Sequence, residues 1–178
     1  IMSSDWSSDV CSSDLEEIRS RIETGHHIEN CSYLGLAGRK EIYEILDDLL
    51  AVLFRVRYSK DSVPKDDLSF YIHDVLRHIS FKFARHLKDA FHHFCLKRTP
   101  ACDNDDCDNC AYESLTYLIE SLPEIREILQ KDIEAAFFGD PAAHSIEEII
   151  LSYPAIDAIA TYRLAHLLYQ KEVPVVPR

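Results

Sequence analysis

The run EIREILQKDIEAAFFGDPAAHSIEEIILSYPAIDAIATYRLAHLL, Glu124–Leu168, decides how this chain folds. Ile125, Ile128, Leu129, Ile133, Ala136 and Phe137 recur at three- and four-residue steps, the spacing of one apolar helix face. Gly139 follows in the place of a helix C-cap glycine. Ser145 and Glu148 have capping-box spacing and open a short helix that Tyr153-Pro154 interrupts. Pro154 suits the first turn of a last helix, whose inner face is Ile156, Ile159, Ala160, Leu164, Leu167 and Leu168. Helix, corner, short helix, corner, helix is an all-α pattern.

The same periodicity extends upstream. Ser121 and Glu124 repeat the capping-box spacing with Pro123 in the first turn, so a helix is predicted to start there, after a short one near Tyr112–Glu120. Pro100 to Asn109 reads as an acidic loop bearing cysteines. Leu68, Ile72, Val75, Leu76, Ile79, Phe83, Leu87, Ala90 and Phe94 mark a long helix, N-capped by Asp66 and stopped before Pro100. Ile42, Ile45, Leu46, Leu49, Leu53 and Val56 predict another helix, from Arg39 to about Arg57, followed by a polar linker to Pro64. A short helix is expected near Leu15–Glu23. Val173 to Pro177, where valines alternate with prolines, is predicted to be extended. No segment reads as strand-rich.

Composition agrees. The chain has 178 residues, 47% hydrophobic and 28% charged, enough for one domain with a substantial core. A formal charge of −12 and the lack of a basic cluster argue against nucleic acid as a partner. No apolar run approaches the roughly 20 residues of a membrane span. Only 4 glycines weigh against β-rich or glycine-loop architectures. Residues 1–14, IMSSDWSSDVCSSD, repeat Ser-Ser-Asp and lack the charged start and apolar stretch of a signal peptide. They resemble a translated sequencing adapter, a non-native tail, and Trp6 and Cys11 are given no function. The helical domain is placed at 15–172.

Asp140 is the candidate site residue. Lying before Pro141, it is pushed towards extended backbone, which throws its carboxylate out at a helix-to-loop corner. There it could cap the Ser145 helix region as a local structural acid, be a solvated charge of the Gly-Asp-Pro turn, or anchor a cationic ligand group.

Gly139-Asp140-Pro141-Ala142-Ala143-His144-Ser145, Tyr153-Pro154 and Tyr162-Arg163-Leu164-Ala165-His166-Leu167-Leu168-Tyr169 together resemble serine O-acetyltransferase, which transfers acetyl from acetyl-CoA to the L-serine hydroxyl for cysteine biosynthesis. The resemblance covers roughly residues 38–178 and is tightest from Ile125. It implies an N-terminal helical domain, with residues 173–178 beginning the linker to a left-handed β-helix that carries the catalytic histidine, its orienting aspartate and the CoA site. On this resemblance no catalytic residue lies in these 178 residues, which bind no cofactor and are inactive alone. The resemblance also implies that Asp140 binds the serine ammonium, through a charge-assisted contact. The implied partners are L-serine, acetyl-CoA, further copies in a trimer or dimer of trimers, and O-acetylserine sulfhydrylase, in the cytoplasm.

Asp132, in the matching Asp132-Ile133-Glu134-Ala135, reads as a helix-surface acid. Arg163 and His166 share a helix face and could brace the last helix. His144, beside the motif, reads as a surface histidine. Cys95, Cys102, Cys107 and Cys110, spaced C-x6-C-x4-C-x2-C, could ligate zinc or an iron–sulfur cluster, or form an acidic surface loop of free or reversibly oxidised cysteines. The interleaved Asp103, Asp105, Asp106 and Asp108 disfavour the metal. The competing overall reading is a self-contained helical metal-binding or regulatory module built on that loop. The remaining histidines, His86 among them, are assigned no role.

Overall fold

The computed structural model describes residues 36–54, 67–95 and 104–178. They form α1 (Leu36–Leu53), α2 (Leu68–Cys95), α3 (Asn104–Gly139), α4 (Ile146–Ser152) and α5 (Pro154–Gln170), with no strand among the described residues. The all-α expectation holds.

The spine is α3, with 36 residues, or about 54 Å at ~1.5 Å per residue. Its stripe of Ala111, Leu115, Leu118, Leu122, Ile125, Leu129 and Ile133 is buried along the whole length. α2, α4 and α5 pack on it, and α1 closes against α2 and α5. Polar pairs give the directions. Glu41 meets Arg85 and His86 while Glu44 meets Lys82, so α1 and α2 run antiparallel. Asp132 meets Arg163 while Tyr117 meets Gln170, so α3 and α5 do too. The shared core is completed by Ile45, Leu49, Ile79, Phe83, Leu87, Ile149, Ile156 and Leu164. Each fully buried leucine or isoleucine contributes about 1.5–3 kcal/mol of transfer free energy.

α2 forms where its periodicity predicts, although Phe94 is partly exposed rather than on the inner face. α1 ends at Leu53. The Leu15–Glu23 helix, residues 1–14, the continuation to Arg57 and the Asp66 cap lie outside the described residues.

Three local expectations are corrected. First, helix is already present at Asn104, and no new helix begins at Ser121. Asp106 and Asp108, which read as loop, occupy an N-terminal turn where the helix dipole favours negative charge. Ser121 Oγ does not cap; it donates to the Tyr117 carbonyl at 2.7 Å. Pro123, exposed on the outer face, sits inside the helix. An interior proline costs about 3 kcal/mol. The buried stripe on either side, from Leu118 to Leu129, offsets it and keeps the helix unbroken.

Second, Gly139 is the last helical residue and does not adopt a left-handed conformation; a Cβ there would meet open space. The Asp140 N–H still reaches the Ala136 carbonyl at 3.1 Å, so Pro141, which has no N–H, ends the ladder. Third, Val173–Pro177 curls into turns. Glu172 has φ 55 and Val175 φ 63. The Glu172 N–H donates to Tyr169 O at 2.9 Å and the Val173 N–H to Leu168 O at 3.1 Å. This is a Schellman motif with glutamate in the glycine position, and burial of Val173 against the core pulls the chain round.

Two substitutions test these points. Pro123→Ala restores an N–H for the Ile119 carbonyl within a continuous helix. It should raise stability by about 1–2 kcal/mol, or roughly 2–4 °C in Tm per kcal/mol. If Pro123 lay in a first turn, thermal melts would show no gain or a loss. Glu172→Gly relieves a left-handed glutamate and should add about 1 kcal/mol. A lowered denaturation midpoint would show that the tail does not hold this turn.

Candidate functional site

Two prolines build the corner between α3 and α5. After Pro141 the chain folds back over Asp140. The Ala142 N–H donates to Asp140 Oδ1 at 2.9 Å, and the Ala143 N–H to the Asp140 carbonyl at 3.1 Å. Ser145 caps α4, accepting from the Glu148 N–H at 3.1 Å. The reciprocal bond is displaced by one residue, since Glu148 Oε2 accepts from the His144 N–H at 2.8 Å. At the far end Pro154 disfavours helical backbone at the residue before it, and Tyr153 is extended at φ −92, ψ 109. Its N–H closes α4 on the Ile149 carbonyl, and its carbonyl opens α5 by accepting from the Ile156 N–H. Set there, the Tyr153 hydroxyl donates to Asp140 Oδ2 at 2.5 Å.

Both oxygens of one carboxylate are therefore anchored. The Tyr153 hydroxyl first, and then the Ala142 N–H, hold Asp140 below the usual carboxylate range. The same contact foremost pushes the Tyr153 phenol up to about 12. At neutral pH the pair is a carboxylate facing a protonated phenol. For the lowered carboxylate, the stabilisation is present above its unfolded pKa and is lost as pH falls through the lower folded value. For the raised phenol, it is present below its unfolded pKa and is lost as pH climbs towards about 12.

Asp140 thus forms a turn, bent back on its own loop rather than thrown outward. It remains half-exposed, and each carboxylate oxygen keeps capacity for a further donor. Tyr153 was not singled out by sequence reasoning as a site residue. Its place before Pro154 is the legible signal, but the contact spans 13 residues and depends on how α4 lies.

Asp132 and Arg163 belong together. Arg163 Nε and Nη2 donate to Asp132 Oδ2 at 2.9 and 2.8 Å, and Nη2 to Oδ1 at 3.0 Å. The pair is about three-quarters buried, with side-chain exposures of 28% and 24%, and ties α5 to α3. His166 does not join it. It is exposed, with its ring stacked between Tyr162 and Tyr169 at centroid distances of 5.8 and 6.3 Å. His144 is exposed in the loop.

The cysteines part company. Cys95 is in a disulfide, whereas Cys107 is a buried thiol and Cys110 an exposed one. A disulfide sulfur is no thiolate ligand, which removes Cys95 from the four-thiolate set. Cys102 lies outside the described residues. Burial foremost pushes the Cys107 thiol up, which disfavours the metal-binding thiolate. Asp108 is neutralised from α2 instead. It accepts from Lys88 Nζ at 2.6 Å, the main reason its carboxyl is held low. His92 Nε2 lies 3.3 Å from Asp108 Oδ1 and meets no hydrogen-bond criterion among the described residues. Among the described residues no group of three or more His, Cys, Asp or Glu stands together to hold a metal.

Cys107, Cys110 and His166 line a cleft of about 730 Å³ with Phe91 and Tyr169. It opens beside the N-terminal turns of α3, and from Cys110 to Asp140 along that helix is roughly 45 Å. The cleft and the Asp140 corner are separate places. A buried histidine also escaped sequence reading. His86, 4% exposed, meets Glu41 Oε2 at 2.7 Å. Arg85 foremost, and then His86, hold the Glu41 carboxyl low. The signal was position alone: His86 lies on the buried stripe of Ile79, Phe83, Leu87 and Ala90.

No family model matches the chain. A serine acetyltransferase encoded on a plasmid of Synechococcus elongatus is 30% identical over 154 residues, covering 86% of this chain and 48% of that protein. The serine acetyltransferase of Bacillus subtilis is 44% identical over 45 residues, 25% of this chain and 21% of its own length. Among solved structures, serine acetyltransferase isoform 3 of Entamoeba histolytica, in complex with cysteine, superposes with a TM-score of 0.59. It is 25% identical, over 75% of this chain and 41% of that one. By sequence and by fold the chain is similar to serine acetyltransferases, and it spans about half the length of the cyanobacterial plasmid relative it matches.

Proposed function

We propose that the chain is the N-terminal helical part of a cytoplasmic serine O-acetyltransferase, in which Asp140 holds L-serine for acetylation by acetyl-CoA. The observation that carries this reading is the Asp140 carboxylate. It is charged at neutral pH, fixed through both oxygens and still half-exposed at a helix corner. A carboxylate so held suits the ammonium of an amino acid, through a charge-assisted hydrogen bond. Fixing the serine brings its hydroxyl to the thioester carbonyl and spares the entropy of that encounter.

In the proposed reaction a histidine base takes the hydroxyl proton, the oxygen bonds to the acetyl carbon, and CoA departs as thiol. Base, orienting aspartate and CoA site belong to the other half of such an enzyme. Asp140 orients the substrate and moves no proton. Asp132–Arg163 supports it by locking α5, which carries the Tyr153 corner at its start, onto α3. Assembly as a trimer or a dimer of trimers, and docking of O-acetylserine sulfhydrylase, are part of the same proposal. Among the described residues no helix is long and apolar enough to cross a membrane.

The 178 residues by themselves should form no O-acetylserine above a blank when given serine and acetyl-CoA. Product formation by the purified chain would overturn the assignment of the base to the other half. In the complete enzyme, Asp140→Asn keeps an oxygen for the Ala142 N–H but loses the charge. The kcat/KM for serine should fall roughly ten- to a hundredfold. KM for acetyl-CoA and the Tm should stay level. If Asp140 serves the turn alone, the Tm falls and serine kinetics remain those of the parent.

A further inference from the structure

We infer that Tyr153 is the positioning residue for the substrate-binding carboxylate: its hydroxyl fixes the Asp140 Oδ2 atom from the opposite side of the corner. The inference rests on the reading of Asp140 as the serine-binding residue. The geometry is specific. Asp140 Oδ1 is held by its own loop, through the Ala142 N–H at 2.9 Å, whereas Oδ2 is held by a side chain 13 positions away at 2.5 Å. With Oδ1 alone bound, the carboxylate can still turn about its Cβ–Cγ bond, a torsion with broad wells. The second contact removes that freedom.

Tyr153 suits this role for three reasons. Its backbone is held by both neighbouring helices, the N–H by Ile149 and the carbonyl by Ile156, so the ring has a fixed base. The ring itself is half-buried and packs against the core. The phenol acts as a donor to the carboxylate, and no protein donor need be found for a substrate that brings its own ammonium hydrogens. Tyr153 binds no substrate in this scheme and acts through Asp140.

The test has two arms. In the 178-residue chain, the Asp140 carboxyl is titrated by carbon-detected NMR with and without Tyr153→Phe. Loss of the hydroxyl should move the carboxyl's midpoint upward, towards the ordinary carboxylate range; an unmoved midpoint overturns the contact. In the complete enzyme, Tyr153→Phe should raise KM for serine roughly three- to tenfold, less than the full worth of the charge-assisted hydrogen bond it removes, because Tyr153 acts on serine only through Asp140. KM for acetyl-CoA should hold and the Tm should fall by only a few degrees, the cost of one partly exposed hydrogen bond, because the ring and its packing remain. Combined with Asp140→Asn, it should add little, since the two act as one unit.

Outcomes separate the two claims. If Asp140→Asn damages serine kinetics while Tyr153→Phe does not, the positioning role is wrong and the serine-binding role stands. If neither substitution affects serine, the serine-binding role fails and takes the inference with it. A Tyr153→Phe loss that adds in full to that of Asp140→Asn, or appears only as a lowered Tm, also overturns the inference.

Discussion

The buried stripe of α3 is the constraint on which the other elements depend. Seven apolar positions from Ala111 to Ile133 face the core in unbroken succession. α2, α4 and α5 each bury their own apolar face against this helix. A break at Pro123 would divide the stripe between two helices and leave α2 and α5 without a common backing. The packing on both sides of the proline opposes the break. Ser121 hydroxyl bonding to the preceding turn uses a group that would otherwise compete with the helix.

The stripe ends close to Asp140, and the corner inherits its rigidity. Pro141 stops the α3 ladder, Pro154 sets the start of α5, and the seven-residue α4 lies between. Buried Ile149 anchors that short helix to the core. The Asp140–Tyr153 contact then joins the two ends of the corner. A polar contact on a half-exposed loop is ordinarily weak; here the backbone on either side is fixed by helix termini, so little freedom is lost in making it.

Ion pairs complete the arrangement in an acidic chain of formal charge −12. Glu41, Asp108 and Asp132 are each met by a cation from a different helix: Arg85, Lys88 and Arg163. The exposed pairs add little to stability. The bidentate Asp132–Arg163 pair is better shielded, and its planar fork fixes orientation as well as distance. It sets the register of α5 against α3, and so the place from which Tyr153 reaches Asp140.

Much of this was legible along the chain. The helical period of Leu68–Ala90 and of Ile156–Leu168 fixed which faces are buried, because burial repeats at the helix pitch. Ser145 and Pro154 marked helix starts because their chemistry acts on the adjacent turn. Asp140 could be singled out for the same local reason. Ser121 and Pro123 carried equally good start signals, yet the core overrode them, since local preferences of about 1 kcal/mol yield to continuous packing. The turn at Glu172 has no glycine to announce it, and burial of Val173 decided it. The Tyr153 partner of Asp140, the Arg163 partner of Asp132 and the Glu41 partner of His86 lie 13, 31 and 45 positions away. Such pairs are set by how helices cross, which periodicity within one helix does not encode. The sequence determined the elements and their inner faces; the tertiary structure alone decided which polar groups meet.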